Sequence, residues 1–526
     1  MIAQQNSIVI KATLDDAKSQ LNIQQRIVYY NTSNQELESI FLHNWPNSFK
    51  NRKTALSKRF IEAYQKNLYF AKKEELGATD IKNISVNFET VDFKELEKQI
   101  DVLEISLKKP LRQNDSIVIN AIYSIKIPSA KFTNYGRTKT GYQLRYWYLN
   151  PAVYSKQWQL MSNLNNDDLY EIPTNYTLDL KLPKDYKVNS NLKKQKTTGK
   201  EFNHFHFTGT QKIDVVLAID KTNNFKIHKT KNLAVHTDIL DGTIDHKLAT
   251  GILNRELNFL EKHLGKYPHK EIFLDKVAQK KDPIYGLSQL PGFVRPFSDT
   301  FKTDITLFKI LTKKYIENTL FVNKRKEYWI TDGLQNYLMM EYVNTYYPEV
   351  KLLGSTSKSW FLKRYNVASL YFNDKYSFVY QLSARSFLDQ TLTTSADSLS
   401  NFNRRIVNKY KAGLGFKYLK GYIGAPELNG AIKAFYQNKK LQKVSAEDFK
   451  TTITNRTTKD LSWFFGDYIQ TNKKIDYTIK KTEIKGDSVK ITIENKRNIT
   501  VPIALYGLKN KEIKFKKWYT AIDSTK

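Results

Sequence analysis

The stretch Ile305-Thr-Leu-Phe-Lys-Ile-Leu-Thr-Lys-Lys-Tyr-Ile-Glu-Asn-Thr-Leu320 decides how this chain is read. Leu307, Phe308, Leu311, Tyr315, Ile316 and Leu320 recur at three- and four-residue steps, which predicts an amphipathic helix. Upstream, His246 to His263 repeats the pattern through Leu248, Ile252, Leu253, Leu257 and Leu260. Gly333 to Tyr347 and Pro426 to Asn438 predict two more helices. In the last of these the Pro stands at the first helical position, where a missing N–H is harmless. A short β-stretch, Ile272-Phe-Leu-Asp-Lys-Val277, separates the first two helices. Residues 226–470 therefore read as a mainly helical domain.

Both flanks change period. In residues 1–225, Leu21, Ile23, Gln25, Ile27 and Tyr29 alternate with polar neighbours, as do Ile117, Ile119, Ala121, Tyr123, Ile125 and Ile127, and then Leu178, Leu180 and Leu182. A period of two gives one buried and one wet face, the mark of an antiparallel sheet. Pro128, Pro151, Pro173 and Pro183 punctuate strand ends, and Leu56 to Leu76 reads as an inserted helix. From about Ile475 alternation returns with Val489, Ile491 and Ile493, and then Val501-Pro-Ile-Ala-Leu-Tyr506. Residues 471–526 are too few for a β-sandwich of ~100 residues. They read as the start of one, belonging to a longer protein or packed as an appendage.

At 526 residues, about three domains are expected. The 84 Lys+Arg outnumber the 52 Asp+Glu, for a net charge of +32. Of those cations 69 are Lys and 15 Arg, spread through all three regions rather than gathered in a nucleic-acid-binding module. Specific nucleic-acid binding is not expected, and weak association with an anionic surface is compatible with the charge. The absence of Cys excludes thiol catalysis and Cys–zinc sites. No apolar run approaches ~18 residues, so no transmembrane segment is expected. The start, Met1-Ile-Ala-Gln-Gln-Asn6, reads like the end of a trimmed export signal, which places the protein in the periplasm or cell envelope.

Several segments, in order, carry a resemblance. They are Phe259-Leu-Glu-Lys-His-Leu-Gly-Lys-Tyr-Pro-His-Lys-Glu-Ile-Phe-Leu-Asp275, Tyr285-Gly-Leu-Ser-Gln-Leu-Pro-Gly292, Trp329-Ile-Thr-Asp-Gly-Leu-Gln-Asn-Tyr-Leu338 and Tyr410-Lys-Ala-Gly-Leu-Gly-Phe416. Arg145-Tyr-Trp-Tyr-Leu-Asn-Pro-Ala-Val-Tyr154 and Asp460-Leu-Ser-Trp-Phe-Phe-Gly-Asp-Tyr468 support them. Together they resemble the M1 aminopeptidases, zinc enzymes of the gluzincin group, in a divergent form typical of Bacteroidetes. The resemblance implies a multidomain α+β fold: an antiparallel β-domain, a thermolysin-like helical domain and the start of a β-sandwich.

It also implies site positions. Tyr410 stands where the family has the Tyr that stabilises the tetrahedral intermediate. Gly286 and Gln289 stand in the strand whose Glu holds the substrate's free amine, and a Gln there loses that charge pairing. Asp332 stands for the third zinc ligand. The two zinc histidines of His-Glu-x-x-His would fall, counting back from Asp332, on Lys309 and Lys313, and the general base on Ile310. All eight His lie at or before His269, so no shift of alignment restores the motif. Charged ammonium groups repel a cation and have no lone pair to give it. Ile310 cannot accept a proton.

The resemblance thus points to an M1 metallopeptidase-like protein with a degraded zinc site and no cofactor. It would be a non-catalytic homologue that binds a peptide or protein in its interdomain cleft or serves a structural role. The alternative is an active metallo-aminopeptidase using unusual ligands. A partner for Asp332 is expected in Lys309 or Lys313, unless both lysines simply reach solvent. His204 and His206 share a strand face but lack a third ligand. His263 and His269 read as surface residues. Ser288 has neither a Gly-x-Ser-x-Gly elbow nor a His downstream.

Overall fold

The computed structural model describes residues 5–240, 242, 244–287, 295–364, 366–486, 488–497, 499–510, 512–520 and 522. The alternating residues of the amino-terminal region form an eight-stranded sheet. Its strands run in the order 193–198, 202–212, 174–183, 7–15, 20–30, 116–126, 78–86 and 89–90. Ile8, Ile10, Ala12 and Leu14 point inward, as do Leu21, Ile23, Ile27 and Tyr29, onto one core shared with two smaller four-stranded sheets. Gln25 lies on this apolar face and is satisfied there. Its Nε2 donates to the Leu149 carbonyl at 2.7 Å, and its Oε1 accepts from Leu149 N at 3.2 Å.

Two details differ from the sequence expectation. The sheet is not wholly antiparallel, because Ser7–Asp15 runs parallel to Thr174–Pro183. Alternation reports which face is buried, not the direction of the neighbour. The inserted helix is also shorter than Leu56–Leu76. It spans Ala55–Glu62 (α1), capped by the Thr54 side chain, and the chain then leaves it through Tyr64 at φ 58°, a left-handed conformation that ends a helix.

The small sheet of Lys226–Lys229, Ala234–Thr237 and Glu271–Leu274 opens the helical region. Its helices are His246–His263 (α2), Lys276–Lys281 (α3), Asp299–Glu317 (α4), Tyr328–Tyr346 (α5), Asp374–Arg385 (α6), Asn408–Ile423 (α7), Ala425–Lys439 (α8) and Ala446–Thr454 (α9). One large apolar core joins most of them, and Tyr376 of α6 packs in a separate cluster with Met340 and Tyr410. The glycines of two quoted segments let α5 and α7 touch. A Cβ on Gly333 would lie 2.6 Å from a ring carbon of Phe416, and one on Gly413 would lie 2.6 Å from Asn336 Cβ. Phe308 of α4 stacks on Tyr342 of α5 at 3.8 Å.

After Gln470 the described strands form two separate hairpins, Tyr477–Lys485 with Ser488–Asn495 and Ile503–Lys509 with Glu512–Tyr519. They do not join into one sheet. The second leans on α7, where Trp518 stacks with Tyr418 at 6.0 Å.

Candidate functional site

The site lies between the β-domain and the helices, and a buried polar contact fixes their relative position. The loop Asn165–Asp168 of the β-domain is gripped by bases of the helical region. Arg325 holds Asp168 through two bonds of 2.8 Å, and Lys281 holds both Asn165 and Asp167 at 2.7 Å. Burial opposes the Asp167 charge, but Lys281 and Arg145 outweigh it and draw its carboxyl down to about 2. Above this floor opens a cleft of about 300 Å³, lined mostly by charged and amide side chains.

The centre of the cleft is Asp282. The short helix α3 ends at Lys281, and Pro283 forbids its continuation, which leaves the Asp282 carboxylate aimed at α4. Lys309 and Lys313 are four residues apart on α4 and share one face. The Lys309 ammonium donates to Asp282 Oδ1 at 2.9 Å and to the Pro283 carbonyl at 3.0 Å. Lys313 approaches Asp282 Oδ2 at 3.7 Å. A third ammonium, Lys409 of α7, reaches Asp282 Oδ1 at 3.1 Å and Asp332 Oδ1 at 3.9 Å.

One carboxylate among three ammonium groups has predictable electrostatics. Burial opposes ionisation of Asp282, but Lys309, Lys409 and Lys313 together hold its carboxyl well below the ordinary range. Burial, with repulsion from Lys409 and Lys313, holds Lys309 below the usual lysine value although Asp282 offsets part of it. Burial acts on Lys313 in the same sense, but the acids around it, Asp282 and Glu317 first, raise it above that value. Burial raises Asp332, which Lys409 only partly offsets.

The structure therefore gathers Lys309, Lys313 and Asp332 at one place, but it corrects the expected pairing. The ion partner of Asp332 is Lys409, and the two α4 lysines turn to Asp282. Nor do they reach solvent, since their side chains are only 13% and 22% exposed. Ile310 points the other way, into the core. Tyr410 packs edge-to-face on Tyr376 at 4.6 Å beside Met340, and burial pushes its hydroxyl up. Gly286 occupies a turn at φ 90°, and Gln289 and Ser288 lie outside the described residues.

Asp282 and Lys409 were not singled out in the sequence. Each lies just outside a quoted segment, Asp282 three residues before Tyr285 and Lys409 directly before Tyr410, and that nearness was the only signal. Among the described residues no group of three or more His, Asp or Glu comes together to hold a metal ion. His206 instead bonds Asp179 at 2.7 Å. His263 and His269 are half-buried rather than on the surface. The first lies against the Phe259 ring at 4.1 Å, and burial pushes the second down to about 3. Among the described residues no helix is long and apolar enough to cross a membrane.

No protein-family model matches the sequence, and no curated protein matches it. The fold has relatives among solved structures. The M1 zinc metallopeptidase of Deinococcus radiodurans superposes with a TM-score of 0.55 at 10% identity, covering 90% of this chain and 95% of that one. A mutant of that enzyme bound to a Tyr-Ser-Ala substrate gives 0.55 at 10% identity over 89% and 94%. A mutant two-domain M1 zinc metallopeptidase bound to L-tryptophan gives 0.55 at 11% over 90% and 96%. The fold of this chain is thus that of the M1 metallopeptidases.

Proposed function

We propose that this chain is an M1-type scaffold that has lost metallopeptidase chemistry and keeps the interdomain cleft to hold a peptide or protein segment. One observation carries the reading. Lys309, Lys313 and Lys409 surround Asp282, and the first two stand at the positions that the resemblance, counted back from Asp332, assigns to the zinc histidines. Three ammonium groups offer a divalent cation repulsion instead of lone pairs, and Asp282, the carboxylate between them, is already engaged by all three. The donor set does not fit zinc. With Ile310 in the core, the general-base position also offers nothing to a water molecule.

The fold relatives include an M1 enzyme bound to a tripeptide substrate, which supports a peptide as the occupant of an equivalent cleft. The test is metal content by mass spectrometry on the purified full chain, together with hydrolysis of a panel of aminoacyl-coumarins. Substoichiometric zinc and no chelator-sensitive turnover are expected. About one zinc per chain with chelator-sensitive cleavage would overturn the proposal in favour of a working aminopeptidase with unusual ligands.

A further inference from the structure

The charges of the cleft do not cancel. Every acid on its wall is engaged: Asp167 by Lys281, Asp168 by Arg325, Asp282 by three lysines, Glu317 by Lys324 and Asp332 by Lys409. Arg404 and Arg405, adjacent on the same wall, have no acid within ion-pair distance among the described residues. Among the described residues Arg404 Nε, shut away from solvent, has no hydrogen-bond partner, and the guanidinium makes one bond, Nη2 to Asn401 Oδ1, long at 3.3 Å. Burial and the neighbouring Arg405 and Arg59 weigh on it, drawing it down to about 10. Both arginines sit on a π-helical turn, Asn403–Val407, a local strain often found at functional sites.

A second, independent observation lies on the opposite domain. Asn166 lines the same cleft, and among the described residues neither its amide nitrogen nor its amide oxygen has a hydrogen-bond partner. A buried polar group left unpaired is costly, and here both a donor and an acceptor are left open. A peptide group, with one N–H donor and one carbonyl acceptor, matches that combination. The residue types also bear on the choice. In a chain with 69 Lys and 15 Arg, two consecutive Arg stand here, and the guanidinium fork matches a carboxylate where an ammonium does not.

We propose that the cleft takes an acidic peptide segment, with a side-chain carboxylate in the fork of Arg404 and Arg405 and a backbone amide on Asn166. This rests on the reading of the cleft as a peptide site and adds the chemical class of its ligand.

The experiment is fluorescence anisotropy of the full chain with three labelled hexapeptides of alternating Ala and Glu, Gln or Lys. The Glu peptide is expected to bind about tenfold or more tighter than the Gln peptide, and the Lys peptide not at all. Arg404→Lys with Arg405→Lys keeps the charge but loses the fork, and should weaken the Glu peptide about tenfold while leaving the Gln peptide unchanged. Asn166→Ala should weaken both Glu and Gln peptides. Replacing Lys193, Lys194 and Lys196, which lie on a distant edge strand, should change nothing.

Equal binding of Glu and Gln peptides, unaffected by the arginine variant, would overturn the acidic ligand but leave a peptide-binding cleft standing. Binding of none of the three would overturn both. Full displacement of the Glu peptide by millimolar inorganic phosphate, with Asn166→Ala having no effect, would replace the peptide by a simple oxyanion. Loss of Glu-peptide binding on changing the strand lysines would reduce it to surface charge.

Discussion

Helix α4 carries two buried ionic clusters a little more than one turn apart, and they resolve excess charge in opposite ways. Near its start, Asp304 is fully buried. It accepts from Tyr342 Oη at 2.8 Å and also meets Arg255 and Tyr347 at short range. Glu256 lies beside it, within hydrogen-bonding reach of the Asp304 carboxylate. Two acids face one guanidinium in a closed core, and burial, reinforced by Asp304, pushes the Glu256 carboxyl well above its ordinary value, so that it stays protonated. Farther along, Lys309 and Lys313 meet Asp282 at the wall of an open cleft. There three ammonium groups share two acids, Asp282 and Asp332, and the excess charge stays on the protein. A closed cluster of acids can cancel its surplus negative charge by keeping a proton. A cluster at a cleft can keep it, because solvent or a ligand can supply the counter-charge.

The contrast can be broken most forcefully at Asp282. Asp282→Ala leaves Lys309, Lys313 and Lys409 without their shared counter-ion, and removing one partner from a buried cluster costs about 3–5 kcal/mol. Denaturant unfolding should show a loss of that order, and adding Lys309→Met should recover part of it. A loss below ~1 kcal/mol would mean that water, not Asp282, balances the lysines.

The next largest effect is a pH dependence of opposite sign in the two clusters. The depressed Asp282 contributes stability that is complete above the unfolded carboxylate value of 3.8 and is lost as pH falls toward its folded value. Glu256 is raised, so the folded chain keeps a proton that the unfolded chain releases above about 4.5. Its contribution therefore falls as pH rises beyond that point. Glu256→Gln, which cannot ionise, should flatten the decline. The stability difference between variant and wild type should climb by about 1.4 kcal/mol per pH unit above pH ~4.5. Parallel curves for the two proteins would show that Glu256 is ionised in the fold.

How much of this was legible before the structure depends on the kind of signal. The α2 boundaries, His246 to His263, follow from apolar periodicity and the Asp245 cap, because each residue of that pattern acts within its own helix. The fold followed from the order of weak segments, and two of them carry Gly333 and Gly413, which let α5 and α7 approach closely. Lys309 and Lys313 were singled out because the resemblance supplies a fixed spacing that can be counted back from Asp332. Their partner was not. Asp332 was the acid known from the resemblance, whereas Asp282 reaches the site only because α3 ends at a Pro. Lys409 arrives from α7, 96 residues beyond Lys313 in sequence. Ion pairs between segments far apart leave no local period to read.

A smaller effect sharpens the comparison at a third buried charge, Lys375 of α6. Its ammonium lies 3.7 Å over the Phe372 ring with no hydrogen-bond acceptor, and burial, with the nearby Lys309, pushes it well below the ordinary lysine value. It follows the closed-core rule of Glu256 with the sign reversed: with no counter-ion available, the group sheds charge by giving up its proton. A group that is neutral in the fold but charged when unfolded favours the unfolded chain at neutral pH. Lys375→Met keeps the length of the side chain and removes the unpaired amine, so the variant should be more stable at pH 7 by about 1–3 kcal/mol, read from denaturant midpoints. Raising the pH toward 10 should narrow that gain, because the unfolded lysine then also loses its proton. If the gain is independent of pH, Lys375 carries its charge in the folded chain, and the cleft margin rather than the closed core is its proper analogue.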